Sequence, residues 1–200
     1  MSMILFGNDV LFQQRFLKAA GFYTGDLDGD WGPLTDGAMT SFEKKSREIT
    51  AALGTFDSLS ERSILTLNPK AQEAARAFLK KVRDADIGGI RIVSGTRTYA
   101  EQNALYRKGR FGNPPPVVTK AKGGQSNHNF GIAWDIGIFQ NGQYLDKPDL
   151  YERAARIGLV DSLEWGGDWK SFKDLPHFQL ATGNPIKLVC AKFENGQAYV

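Results

Sequence analysis

"GGQSNHNFGIAWDIG", residues 123–137, carries His128, one of only two histidines in the chain; the other, His177, lies in "KDLPHF", residues 173–178. The run "GIAWDIGIF" is apolar, β-branched and bounded by glycine, which is a strand pattern. On a strand Ala133, Asp135 and Gly137 share one face, and Ile132, Trp134 and Ile136 share the other. Such a strand buries an apolar face and offers one carboxylate among small residues. A carboxylate there needs a partner or a cation. "PHFQLA" reads as a second strand, with Phe178 and Leu180 toward the core and His177 and Gln179 on the opposite face. Two imidazoles and one carboxylate are a suitable donor set for Zn²⁺. Three protein ligands leave a fourth position for water, as catalytic rather than structural zinc sites do.

The elements around these strands follow from apolar spacing and caps. Residues 9–20, "DVLFQQRFLKAA", place Val10, Phe12 (or Leu11), Phe16 and Leu17 near helical spacing, with Asp9 to cap the start and Gly21 to end it. The Gly and Asp cluster from Gly25 to Gly32 is a turn-rich loop. Pro33 suits the first position of a second helix, expected to bury Leu34, Ala38, Met39 and Phe42. Residues 55–69 read as a connector. Pro69 opens an amphipathic helix with Ala71, Ala74, Ala75, Phe78, Leu79 and Val82 on one face. "GGIRIVSG" is a short β run. "TYAEQNALYRKGR" is a helix with Thr98 as N-cap and Glu101 three residues later. Three consecutive prolines exclude helix from residues 111–125, an irregular loop of the length often used functionally. "DLYERAARIGL" is a helix between the two site strands. Helices first, then strands with intervening loops, give an α+β fold.

Composition narrows the class. Hydrophobic residues make up 42% and charged residues 24%, which is ordinary globular material and argues against disorder. No run of about 18 apolar residues exists, so no membrane-spanning helix is expected. The N-terminal "MSMILFGNDVLFQQRF" lacks a basic n-region and a small-residue cleavage site, and reads as folded protein rather than a signal peptide. Cys190 is the only cysteine, which excludes an intrachain disulfide and reads as a small buried hydrophobe near a strand. Net charge is +3, too mild to point to nucleic acid. Residues 1–66 carry 6 basic and 9 acidic side chains, and residues 67–200 carry 19 and 13. The second part is therefore net +6, which suits an anionic substrate or polymer.

Two family resemblances rest on these residues. "GFYTGDLDGDWGPLTDGAMTSF", residues 21–42, resembles the peptidoglycan-binding domain type 1, with its glycines, Asp28, Thr35, Ala38 and Phe42 in register. Glu43 stands where that family usually has Gln. The resemblance implies a three-helix wall-binding module over residues 1–66. "SNHNFGIAWD" resembles the SxHxxGxAxD signature of the LAS-type zinc metallopeptidases, the D-alanyl-D-alanine carboxypeptidases and L-alanyl-D-glutamate endopeptidases. "EWGGDWKSFKDLPHFQL", residues 164–180, is similar to the endolysin branch of that family. The implied catalytic domain is residues 67–200, an α+β domain with a mainly antiparallel central sheet. The resemblance puts one zinc on His128, Asp135 and His177 and the acid/base on Asp174. It puts substrate carboxylate and carbonyl groups on Arg97, Gln102 and Ser126.

The chemistry fits those assignments. Zinc lowers the pKa of water to about 7 and polarises a scissile carbonyl. Asp174 would take the water's proton and pass it to the departing nitrogen. Glu164 and Asp168 compete for that role, and spacing to His177 favours Asp174. The planar fork of Arg97 can bond both oxygens of a carboxylate. Gly131 is expected to permit close approach of backbone to the metal site. Trp165 and Trp169 could pack or could wall a cleft. The resemblance implies a phage-type endolysin acting on bacterial peptidoglycan as a monomer, held in the host cytoplasm until release. A D-Ala-D-Ala carboxypeptidase is the enzymatic alternative, and a non-catalytic wall-binding protein the alternative of another class.

Overall fold

The computed structural model describes residues 5–200 apart from 84, 86 and 88. Residues 1–4 of the N-terminal reading and Gly88 of the expected β run lie outside the described residues. The chain forms two compact units, each made of separate segments. One comprises Met1–Lys44, Thr96–Gly131 and Thr182–Val200, the other Lys45–Gly95 and Ile132–Ala181. A division at residue 66 is thus a division of sequence motifs, and the packing units cut the chain elsewhere.

The first unit is helical with an aromatic core. Helix α1 (Val10–Ala19) starts where the Asp9 carboxylate accepts from the Phe12 amide at 3.1 Å, and the chain leaves it through Gly21 at φ +85°. Gln14 of α1 is fully buried and knots the Gly/Asp loop: its amide donates to Asp28 Oδ1 at 2.7 Å and to the Asp30 carbonyl at 3.0 Å, and its oxygen accepts from the Gly29 amide at 2.8 Å. The Gln14 hydrogen bond draws the Asp28 carboxyl below its ordinary pKa. Helix α2 (Pro33–Leu53), which belongs to this unit as far as Lys44, begins at the expected proline and buries Ala38, Met39 and Phe42. Leu34 departs from expectation and is 64% exposed, because the buried face of the first turn is taken by its neighbour Thr35, in line with Ala38, Met39 and Phe42. Helix α5 (Tyr99–Arg107) carries the expected capping box, Thr98 with Glu101. Phe12, Tyr99 and Phe193 meet ring to ring, the last from α7 (Ile186–Glu194), a helix that the sequence reading did not place. Cys190 lies half-buried on α7 with its Sγ 3.7 Å from the Tyr99 hydroxyl, so it neighbours a helix rather than a strand.

The second unit is a sheet with helices packed on it. Strands β1 (Gly89–Ser94), β2 (Ala133–Gln140), β5 (His177–Leu180) and β4 (Leu163–Trp165) lie side by side in that order. The two-residue β3 (Gln143–Tyr144) also pairs with β2, and every pairing is antiparallel. The sheet's apolar face is Ile92, Trp134, Ile136, Phe178 and Leu180, all buried. Helices α4 (Pro69–Arg83) and α6 (Pro148–Gly158) contribute Phe78, Leu79, Tyr151 and Ala154 to the same core. Gly158 has to be small, since a Cβ there would collide with the Phe78 ring. Burying each large apolar side chain contributes roughly 1.5–3 kcal/mol.

Residues 55–69 are more than a connector. Asp57 accepts from the amides of Leu59 and Ser60, both at 3.1 Å, and caps helix α3 (Ser58–Ile64). The buried Ser60 hydroxyl then accepts from the β1 amide of Ile92 at 2.9 Å. Glu61 of α3 forms a two-pronged ion pair with the fully buried Arg76 of α4, both contacts 2.7 Å. Glu61→Ala leaves that buried guanidinium with the Gly54 carbonyl but without its counter-charge. A loss of about 3 kcal/mol or more in urea unfolding is expected, the scale for breaking a buried pair. Unchanged stability would show that the pair is not what fixes α3 on α4.

Candidate metal and catalytic site

The site begins with a strand register. In the antiparallel β2–β5 pair Asp135 lies directly opposite His177. The face alternation expected from sequence therefore brings the two together, and His177 Nδ1 lies 3.2 Å from Asp135 Oδ1. The same register puts Trp134 opposite Phe178 on the core side, the rings stacked with centroids 6.4 Å apart. His128 comes from a 3₁₀ turn, Asn127–Phe130, just ahead of β2. Gly131 ends that turn at φ +66°, a left-handed conformation that explains the glycine better than close approach to a metal does. His128, Asp135 and His177 each offer a ligand atom, and these atoms all lie within 4.8 Å of one another. His128 and His177 are buried, 1% and 5% exposed. Two imidazoles and a carboxylate at that spacing fit zinc in donor type and number.

Electrostatics agree with a cation site. Burial opposes the charged form of His177, but the hydrogen bond and negative charge of Asp135 outweigh it and hold the ring's pKa above its ordinary value. A proton and a metal ion thus compete for the nitrogen that faces Asp135.

Of the other predicted residues, Asp174 lies in the turn into β5. Its backbone carbonyl accepts from the His177 amide at 3.2 Å, and its charge also raises the His177 pKa. Arg97 is half-buried, and its backbone is fixed to the 3₁₀ turn: its amide donates to the His128 carbonyl at 3.0 Å. Ser126 precedes that turn, and its hydroxyl makes no capping bond there. Gln102 is buried, and its amide donates to the Ala121 carbonyl at 2.9 Å, fixing the loop ahead of Ser126. Glu164 pairs with Gln179 across β4–β5, and its carboxylate accepts from the Gln179 amide at 2.6 Å. Asp168 is exposed. The tryptophans divide. Trp165 packs, with its indole N–H donating to the Leu175 carbonyl at 2.8 Å, whereas the half-buried Trp169 lies against the His177 ring, centroids 5.1 Å apart.

The family model described as D-alanyl-D-alanine carboxypeptidase, of the peptidase M15 group, matches residues 119–180. Over 127 residues the chain is 35% identical to the peptidoglycan L-alanyl-D-glutamate endopeptidase CwlK of Bacillus subtilis strain 168, covering 57% of this chain and 73% of that relative. The chain belongs to the peptidase M15 family. Solved structures that align with this M15 peptidase include the Serratia marcescens L-Ala D-Glu endopeptidase ChiX, with TM-score 0.47 and 28% identity over 64% of this chain and 90% of that one. Another is VanYB in complex with D-alanine-D-alanine, with TM-score 0.41 and 14% identity over 66% of this chain and 80% of that one.

The M15 site also depends on residues that sequence reasoning passed over. Asn129 is fully buried between the His128 turn and Arg97. Its amide donates to the Arg97 carbonyl at 2.8 Å, and its oxygen accepts from the Gly124 amide at 3.0 Å. Its signal was a polar residue between His128 and an aromatic. The hydroxyl of buried Tyr199 donates to the Phe130 carbonyl, and burial pushes its pKa up. Gly166 is the third. A Cβ there would collide with the Asp174 carbonyl oxygen and sit 3.1 Å from the Cβ atoms of Asp174 and His177. Its signal was the glycine pair in "EWGGDW". Gly166→Ala should therefore move both neighbours. Displaced ¹⁵N resonances of the His177 ring and a loss of about 1–3 kcal/mol in denaturant unfolding are expected, the usual cost of overpacking. Resonances unmoved from wild type would show that the site has slack at this point.

Proposed function

We propose that this M15 peptidase is a zinc-dependent endopeptidase that hydrolyses the L-Ala–D-Glu bond of peptidoglycan stem peptides. The observation that carries the reading is the convergence of His128, Asp135 and His177 within 4.8 Å. One zinc per chain would be held by these three residues. When bound, it supplies a Lewis acid and lowers the pKa of water to about 7. Asp174 takes a proton from the attacking water and returns it to the leaving nitrogen, work worth about 10²–10⁴-fold in rate. Its position beside His177 supports that role, whereas Glu164 is engaged with Gln179. Arg97 binds a substrate carboxylate through its fork, and Ser126 and Gln102 are the residues assigned to substrate carbonyl groups.

The choice of bond is supported by the similarity to CwlK, whose name specifies L-alanyl-D-glutamate cleavage. The chemistry of lysis supports it too, because this bond lies between glycan and cross-link and one cut there severs the mesh. The family description favours a second reading, D-Ala-D-Ala carboxypeptidase, which the same ligands would serve. Residues 1–66 serve as the wall-binding module, on the strength of the motif over residues 21–42. The whole is an endolysin, acting as a monomer on the cell wall after release from the host cytoplasm.

Two experiments test this. In His128→Ala and His177→Ala, zinc at one equivalent per chain and activity should vanish together. Asp174→Asn should keep its zinc and lose roughly 100-fold or more in turnover. Full metal occupancy in the histidine variants would remove the site. Second, peptidoglycan digested with the protein should yield new D-Glu amino termini, with L-Ala left on the lactyl-glycan side. Free D-Ala with no new D-Glu terminus would establish the carboxypeptidase instead.

A further inference from the structure

We infer that Glu164 and Gln179 are positioning residues, forming a directional hydrogen-bond relay that fixes which nitrogen His177 presents to the metal; the inference rests on the zinc reading above. The three side chains line up. Glu164 Oε2 lies 2.6 Å from Gln179 Nε2, Gln179 Oε1 lies 2.9 Å from His177 Nε2, and His177 Nδ1 points to Asp135 at 3.2 Å. The strands impose the arrangement. Glu164 and Gln179 are direct partners across β4–β5, and His177 lies two residues along β5 on the same face. Gln179 and His177 are 9% and 5% exposed, so water does not readily replace the bond between them, while the exposed Glu164 closes the relay from the solvent side.

The direction follows from donor and acceptor chemistry. An ionised carboxylate only accepts, so Gln179 has to turn its NH₂ toward Glu164. Its oxygen then faces His177 and can only accept, so the imidazole carries hydrogen on Nε2. With Nε2 holding its hydrogen, a cation that displaces the proton Nδ1 otherwise shares with Asp135 meets the Nδ1 lone pair on the side of Asp135 and His128. Histidine ligands are commonly oriented by such a bond to the second nitrogen. Without the Glu164 charge the Gln179 amide is free to flip. Its NH₂ would then face Nε2 and favour hydrogen on Nδ1, which opposes metal binding. Glu164 thus acts through Gln179 and His177 rather than on the substrate.

The full-length protein provides the test, through its zinc dissociation constant from chelator competition and the Nε2 proton of zinc-loaded His177 by NMR. Glu164→Gln and Gln179→Leu should each weaken zinc by about 10–100-fold, the range for losing such a partner. The Nε2 proton should exchange faster in both. The exchanged pair, Glu164→Gln with Gln179→Glu, restores the polarity: the new carboxylate accepts from Nε2–H, and the new amide donates to it. Zinc affinity and the protected proton should return to near wild type, a rescue that mere packing would not give. Failure of that rescue, or single variants that bind zinc like wild type, would overturn the relay. So would Glu164→Gln that abolishes turnover with zinc affinity and proton exchange unchanged, which would make Glu164 the base. Wild-type protein that binds no zinc would overturn the metal reading and the relay together.

Discussion

The pairing of β2 with β5 is the constraint on which the site depends. Its register sets Asp135 opposite His177 on one face and Trp134 opposite Phe178 on the other. Side chains alternate strictly along a strand, so a slip of one residue would exchange the two faces. It would bury a carboxylate and expose an indole. The apolar side enforces the register, because Phe178 is held between Phe78, Trp134 and Trp165. Hydrophobic burial on one surface thus positions charged groups on the other.

His128 is held by different means. It lies on a single 3₁₀ turn, with no ladder to fix it. Asn129, Gly131 and Tyr199 take over that task through polar bonds and one left-handed residue. The Tyr199 bond is buried and the Asn129 bond partly so, which limits their exchange for water. A polar group left unsatisfied there would cost about 1–3 kcal/mol. The turn is specified by a few bonds rather than by a broad apolar surface.

That contrast explains what could be read from sequence. The two site strands, the capping box of α5 and the proline starts of α2 and α4 were legible because each is written in neighbouring residues. The convergence of His128, Asp135 and His177 was legible because two histidines are few, and both sit in motifs. Helix α3 was hidden because its cap, Asp57, and its anchor, Glu61 to Arg76, look like ordinary surface charge until α4 is in place. Helix α7 was hidden because its meaning lies in Phe193 meeting Phe12 and Tyr99, residues far away in the chain. Leu34 misled for the opposite reason, since its apolar side chain drew the face one residue off, and a threonine, Thr35, holds the buried position instead. Gly166 and Asn129 could not be ranked among many glycines and asparagines without knowing what they touch.

The bonds between Arg97 and the His128 turn carry a mechanical implication. The Arg97 amide holds the His128 carbonyl, and the Arg97 carbonyl is held by Asn129, so the two segments form one rigid buckle. A push on Arg97 is therefore passed through its own peptide to the turn that carries His128, and a substitution that loosens Asn129 slackens both segments at once.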